Sequence, residues 1–312
     1  MKRFLAKHSP LVILAGLCIV LAIVSSDFRQ QDNLQRVLTR TCVVGIIAIG
    51  QTLVIITAGI DLSVGSVAAL SGAVAALAMK SAGLPVPVGI AAGTLTGLAC
   101  GVINGLMVTG ARIPSFIATL GMMMMARGAV LLITGGKPIF GLPKAFRYLG
   151  GTRGWWIPVL LTAFIAAAVA VTLVLTRFGR ELYATGGNAT GARLSGIRID
   201  RVRIAAFGLC GLLTGFAGCV LASRTGIAEP TAAEGMELDA IAACVIGGAS
   251  LMGGEGGAIG SVAGGLIMNV LVNFCNLMDF DVYWQYVLVG ALIVTLVAYD
   301  TWRKRRAGFL RD

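Results

Sequence analysis

Two carboxylates set in otherwise apolar surroundings, Asp61 and Glu255, have the most chemistry open to them. A carboxylate pair could divide general-acid and general-base work, but no nucleophile or metal-ligand set accompanies these two. His8 is the only histidine of the chain, which excludes a histidine base, a catalytic triad or a His-ligated metal. The seven cysteines (Cys18, Cys42, Cys100, Cys210, Cys219, Cys244, Cys275) lie in or beside apolar segments without Cys-x-x-Cys spacing. That is the pattern of small buried helix residues, not of a disulfide framework or metal centre. No glycine-rich phosphate loop is present, since Gly136-Lys137 runs into Pro138. No catalytic site, metal or cofactor is therefore expected, and any energy source must be a downhill or ion gradient or a separate chain.

Asp61 interrupts an apolar run within Gly59-Ile60-Asp61-Leu62-Ser63-Val64-Gly65-Ser66. An ionisable group in such a place is costly and faces a cavity or a partner. Two compatible roles are open to it: capping the helix that begins after Leu62-Ser63-Val64, or lining a pathway together with Ser63. Glu255, among glycines, has a matching role at a second break or is a solvated loop carboxylate. Gln51, Asn104, Asn269 and Asn273 either line a route for a hydroxylated solute or hydrogen-bond between helices. Met122 to Met125 read as packing or lipid-facing surface, no other soft ligand being nearby.

The elements that must position these residues are membrane helices. Of 312 residues, 57% are hydrophobic and 12% charged, with mean hydropathy +0.89, far more apolar surface than one soluble core could hide. Apolar runs of roughly 17–25 residues match the length needed to cross a bilayer as helix. They do not alternate, and a spanning segment must satisfy its own backbone, so strands are excluded. The net charge of +11 does not point to nucleic acid, because the basic residues flank apolar runs.

The expected fold is an all-α polytopic transmembrane helical bundle, 1–312 forming a single transmembrane domain of about ten spans. They are placed at 11–26, 42–58, 66–79, 88–108, 114–135, 155–176, 204–223, a broken span around 238–257, 259–276 and 282–299. Eight or nine spans are the other counts the charge pattern permits. The polar stretch 27–41 is expected as an outer loop, and the first span as a retained one, not a cleaved leader. The basic residues at both ends place both termini in the cytoplasm, although Arg29, Arg36, Arg40, Lys137, Lys144, Arg147 and Arg153 fall in outer loops on this topology. Helix breaks are expected near 59–65 and 246–257. Both interrupt an apolar run with glycines and resume in small residues, which suggests a weak internal repeat, roughly 42–135 and 204–300, with the functional region near the membrane centre. The alternative is that these glycines only let helices pack closely. The stretch 177–203 holds six arginines and is expected at the cytoplasmic face. Within it, 186–197 reads as a short helix with flanking glycines, suited to docking on a partner or serving as a plain connection.

Three segments together resemble the permease subunit of ribose-type sugar ATP-binding-cassette importers. They are the run from Gly59 to Ser66, the loop Gly186-Gly187-Asn188 through Arg193-Leu194-Ser195-Gly196-Ile197, and Gly247-Gly248-Ala249-Ser250-Leu251-Met252-Gly253-Gly254-Glu255-Gly256-Gly257. They occur in the family's order, and the resemblance runs from about Asn33 to Tyr299. It implies a bacterial inner membrane protein in which two copies form the path for a monosaccharide. A cytoplasmic ATPase with two nucleotide-binding modules would drive it, and a periplasmic binding protein would deliver the sugar. It also implies that Gly187, Asn188, Ala192, Arg193, Ser195 and Gly196 belong to the loop that meets the ATPase. Gly191 and Thr190 depart from the family pattern and predict a weaker local helix. Ribose, xylose, galactose, allose, inositol and autoinducer-2 all stay open as solutes. The competing class is an ATP-independent secondary transporter or facilitator, against which the arginine-dense loop argues.

Overall fold

A computed structural model describes residues 9–152 and 154–281, and 283–285, 287, 288, 290, 291, 294, 295 and 298 beyond them. Among the described residues the chain is all helical. Its elements are α1 (Ser9–Val24), α2 (Gln31–Ile56), α3 (Val64–Lys80), α4 (Val86–Thr109), α5 (Ser115–Thr134), α6 (Trp156–Leu175), α7 (Arg177–Gly187), α8 (Ala189–Leu194), α9 (Ile199–Thr225), α10 (Met236–Ile246) and α11 (Ala258–Leu277), with 3-10 turns at Asp27–Arg29 and Phe146–Tyr148. One isolated antiparallel bridge joins Ile139 to Ala228.

Six described helices, α2, α4, α5, α6, α9 and α11, are long and apolar enough to cross a membrane, and α1 and α3 contain shorter apolar stretches. Among the described residues about ten crossings are therefore not confirmed. The 11 residues of α10 span about 16 Å as helix, too little to cross. Of the expected last span, 282–299, ten residues are described and all ten are helical, and the other eight lie outside the described residues. The ends follow local chemistry. Pro85 and Pro114 precede α4 and α5, where a missing amide is harmless, while Gly135 and Gly226 close α5 and α9 in the left-handed conformation.

Two boundaries differ from the sequence expectation. The polar stretch 27–41 is not all loop, because α2 starts at Gln31. Its buried residues Asn33, Val37 and Thr41 recur every four positions, so this part presents one face inward, Val37 packing with Leu21, Phe28 and Val270. Likewise α9 starts at Ile199, not near 204, because Ile199 and Val202 are buried while Asp200 and Arg201 point outward.

The helices divide into inner and outer sets. In the most apolar stretch of α2, 89% of residues are buried, against 72% for α9 and 28% or less for α4, α5 and α6. Leu132, Phe164 and Val174 of the outer helices stay exposed, as lipid-facing positions require. Around α2 lie α6, α9, α10 and α11, and α9 packs in turn on α3 and α4. Glycine explains how tightly. A Cβ at Gly97 would strike the Gly211 carbonyl, one at Gly101 the Phe207 carbonyl and one at Gly218 the Ala68 carbonyl. The four-residue spacing of Gly93, Gly97, Gly101 and Gly105 lays one side-chain-free stripe along α4, against which the α9 backbone lies directly.

Candidate functional site

The site is built where α2 stops. Ala58 adopts φ 60° and the Gly59 amide turns back to the Val54 carbonyl (3.1 Å), so the chain leaves the helix axis. It then runs without regular structure through 60–63 before α3 begins. A non-helical stretch among membrane helices leaves backbone groups without intrahelical partners, and these must be met by side chains. Three side chains from elsewhere meet them here. The Gln51 amide, oriented to satisfy both of its ends, donates to the Asp61 carbonyl (3.2 Å) and accepts from the Asp61 amide (3.1 Å). Ser115 Oγ accepts from the Ile60 amide (3.3 Å), and Thr119 Oγ1 from the Leu62 amide (3.1 Å).

The Asp61 side chain completes this arrangement. Its Oδ1 accepts from the Ser63 amide (2.8 Å) and the Ser63 hydroxyl (2.6 Å), and Asn104 Nδ2 approaches Oδ2 at 3.4 Å and Ser63 Oγ at 2.9 Å. Asp61 and Ser63 are 1% exposed and Gln51 and Asn104 fully enclosed, so the carboxylate has no bulk water around it. The expected cap takes a different form: Ser63 occupies the N-cap position of α3, and Asp61 bonds the residue two positions on, an Asx-type turn before the helix. Asn104 Oδ1 is buried without a partner.

The second break lies against the first. At the end of α2 the Ile56 carbonyl has no intrahelical donor, and the Gly254 amide of the glycine-rich connection supplies one (2.9 Å). Glu255 is exposed on this connection, away from the enclosed position of Asp61, and its carbonyl accepts from the Ser250 amide (3.1 Å). Asn269 is not part of this cluster. It donates to the Gly265 carbonyl of its own helix (3.0 Å) and, with Arg36, Arg40, Arg224 and Asn273, lines a cavity of about 450 Å3 around the other end of α2.

The segment expected to dock on a partner is two helices, not one. The side chain of Thr176 caps α7, accepting from the Gly179 amide (3.2 Å), and Asn188 caps α8, accepting from the Gly191 amide (2.9 Å). Gly186 and Gly187 thus close α7 instead of flanking a single helix, and Gly196 ends the turn after α8 at φ 81°. Ala192 is buried while Arg193, Leu194, Ser195 and Gly196 are exposed, Leu194 at 85%.

What joins this segment to the two breaks was not visible in the sequence. Leu182 of α7 is buried with Leu53, Ile56, Leu173, Val202 and Ala206, fixing α7 to the ends of α2 and α9. The Tyr183 hydroxyl donates to the Gly256 carbonyl (2.7 Å). A Cβ at Gly186 would collide with the Ile56 carbonyl and come within 2.7 Å of the Gly254 amide. Three elements therefore converge on one peptide group, with α2, the glycine connection and α7 in direct contact. One turn back from Ile56 on the same face of α2, Thr52 forms a polar clasp with Cys244 and Ser261 between α2, α10 and α11, with Thr52 Oγ1 3.2 Å from Cys244 Sγ.

The family described as "Branched-chain amino acid transport system / permease component" matches residues 33–297. The ribose import permease protein of Escherichia coli (strain K12) is 39% identical over 310 residues, 96% of this chain and 95% of that protein. The ribose import permease protein of Bacillus subtilis (strain 168) is 40% identical over 305 residues, 96% and 94% of the two chains. The xylose transport system permease protein of Escherichia coli (strain K12) is 35% identical over 338 residues, 88% and 86%. No solved structure matches the chain. With its apolar helices, its enclosed polar break and a match along almost its whole length, this chain belongs to the family of membrane permease components of such transport systems.

Proposed function

We propose that the chain is the translocation subunit of an ATP-driven importer for a monosaccharide of the ribose or xylose kind, and not a free-standing facilitator. The solute class rests on the sugar permeases to which the chain is 35–40% identical. The observation that carries the ATP-driven reading is the convergence of α7, the glycine connection and the end of α2 on the Ile56 peptide. A facilitator has no need of a capped pair of short helices with an exposed leucine at the tip, tied rigidly to the two places where membrane helices break.

On this reading α8 and its flanks, Gly187 to Gly196, dock on a cytoplasmic ATPase. Both termini then lie in the cytoplasm, a second copy of the chain completes the path, and a periplasmic binding protein supplies the sugar. Nucleotide binding draws the docked segments together, and α7 carries that movement to Ile56. The break can respond because side chains, not helix hydrogen bonds, hold the backbone of 60–63: Gln51, Asp61, Ser115 and Thr119 shift as units while keeping partners. Tight sugar selection belongs to the binding protein, so the membrane path needs only weak polar contacts. The paired breaks are the corresponding points of a two-part repeat, 42–135 and 204–300.

Purification of the tagged chain from its native membrane in mild detergent tests this reading. An ATPase with two phosphate loops is expected to copurify. Recovery of the chain alone, under conditions that keep a known transporter complex whole, favours the facilitator.

A further inference from the structure

Between the break, the α4–α5 turn and the start of α9 lies a polar cavity of about 750 Å3. Arg112, Arg193 and Arg203 line it with Asp200, and Ala58 and Ser115 form part of its wall. The three guanidiniums come from three separate elements: the turn after α4, the docking helix α8 and the second turn of α9. Among the described residues the one ion pair is Arg177 with Glu181, so neither Asp200 nor any other described carboxylate lies within 4.0 Å of these arginines. One carboxylate against three guanidiniums leaves the cavity about two charges positive. Like charges gathered in a concavity repel unless an anion joins them.

The backbone adds a second observation. Arg112 has φ 54°, and Ala58 across the cavity has φ 60°, two of the four non-glycine residues with positive φ among those described. Glycine would relax the turn at 112, which follows Gly110 and Ala111. An arginine held in that conformation is strained, and such residues cluster at active sites, ligand clamps and switch regions. Guanidinium forks match tetrahedral oxyanions, and basic pockets between membrane helices on the cytoplasmic side take anionic headgroups.

We infer that this cavity binds a phosphate group, carried either by an anionic phospholipid headgroup or by a free phosphate, which ties the docking helix to the α4–α5 turn beside the Asp61 break. Because Arg193 rides on α8, occupancy sets how firmly the docked segment holds to the membrane helices. The inference goes beyond the transport reading and is independent of which solute is carried.

The test uses the full chain, with and without its copurifying ATPase, in nanodiscs of phosphatidylglycerol or of phosphatidylcholine. The variants are Arg112→Gly and Arg112→Gln combined with Arg203→Gln. The glycine variant relaxes the turn, so its melting temperature should hold or rise while binding falls, which separates lost binding from lost folding. If the source is lipid, native mass spectrometry should find phosphatidylglycerol retained over phosphatidylcholine by about tenfold in wild type, and the preference should vanish in both variants. If the source is free phosphate, inorganic phosphate should raise the melting temperature of wild type but not of the variants, with no lipid preference. Equal lipid retention in all chains together with no response to phosphate overturns the inference. So does loss of both signals whenever the ATPase is bound, which would give the cavity to a carboxylate of that partner.

Discussion

Replacing Gly186 by alanine places one methyl group where α7, the end of α2 and the glycine connection meet. The new Cβ would overlap the Ile56 carbonyl and stand 2.7 Å from the Gly254 amide and 2.8 Å from the Ile56 carbonyl carbon. All of these neighbours are backbone, so no rotamer change relieves the overlap, and either α7 or the glycine connection must move away. Overpacking of this kind costs about 1–3 kcal/mol, and loss of the Gly254 to Ile56 hydrogen bond adds about 1 kcal/mol. A shift of roughly 2–4 kcal/mol lowers the population of the joined arrangement by at least about thirtyfold. Most of the buried core lies elsewhere, so the protein should still reach the membrane. The expected outcome is near-normal abundance, sugar uptake reduced at least about tenfold, and ATP hydrolysis by the assembled complex no longer stimulated by the loaded binding protein. Gly128→Ala in α5, where a Cβ meets no heavy atom within 4 Å, should transport normally. Uptake of Gly186→Ala within about twofold of wild type would refute the argument that this contact transmits the movement.

Other residues give sharper readings of single contacts. Asp61→Ala removes the acceptor of two short bonds from Ser63 and should reduce stability by about 1–3 kcal/mol. Asp61→Asn keeps that acceptor and should cost about 1 kcal/mol or less, read from the melting temperature. If the two variants melt alike, the turn does not depend on the acceptor. Tyr183→Phe loses the 2.7 Å bond to the Gly256 carbonyl, which should weaken coupling by about 1 kcal/mol. Burial pushes the Tyr183 phenol above its usual range, so it remains a donor through neutral and mildly alkaline pH. The Tyr183→Phe defect should therefore stay constant across that range, and a defect that disappeared toward pH 9 would contradict it. Ser195→Glu, on the exposed flank of α8, should leave the protein in the membrane but separate ATP hydrolysis from uptake. Unchanged uptake would remove α8 from the docking surface.

Hydropathy and helix breakers made the helices legible, because lipid demands long apolar runs and the prolines and glycines at 85, 114, 135 and 226 end them for local reasons. Both breaks were legible as well, since Asp61 and the glycines of 247–257 are costly unless something local requires them. The beginning of α2 was hidden by composition: Asn33, Arg36 and Arg40 look like a loop, and only packing against α1 and α11 identifies their helical face. Within the site, Gln51, Asp61, Ser63 and Asn104 were read as residues of a pathway or of a helix break, and the structure places the four against one another. Glu255 and Asn269 were grouped with them by residue type, yet one is exposed on a loop and the other lies around the opposite end of α2, because sequence spacing does not encode which helix ends meet. Ser115 and Thr119 escaped notice for the same reason. Hydroxyls one turn apart at the start of a helix look ordinary until a broken backbone lies against them. Gly186 was recognised as a glycine of the segment expected to dock on a partner, but its need to be glycine comes from Ile56, a residue 130 positions earlier in the chain.

The most direct test of the account is uptake of radiolabelled ribose and xylose into proteoliposomes holding this chain with its copurified ATPase and sugar-binding protein. The account predicts accumulation of one of these sugars against its gradient, only with ATP on the ATPase side and only when the binding protein is present on the other. Equal equilibration of sugar by the chain alone, without ATP or binding protein, would contradict it.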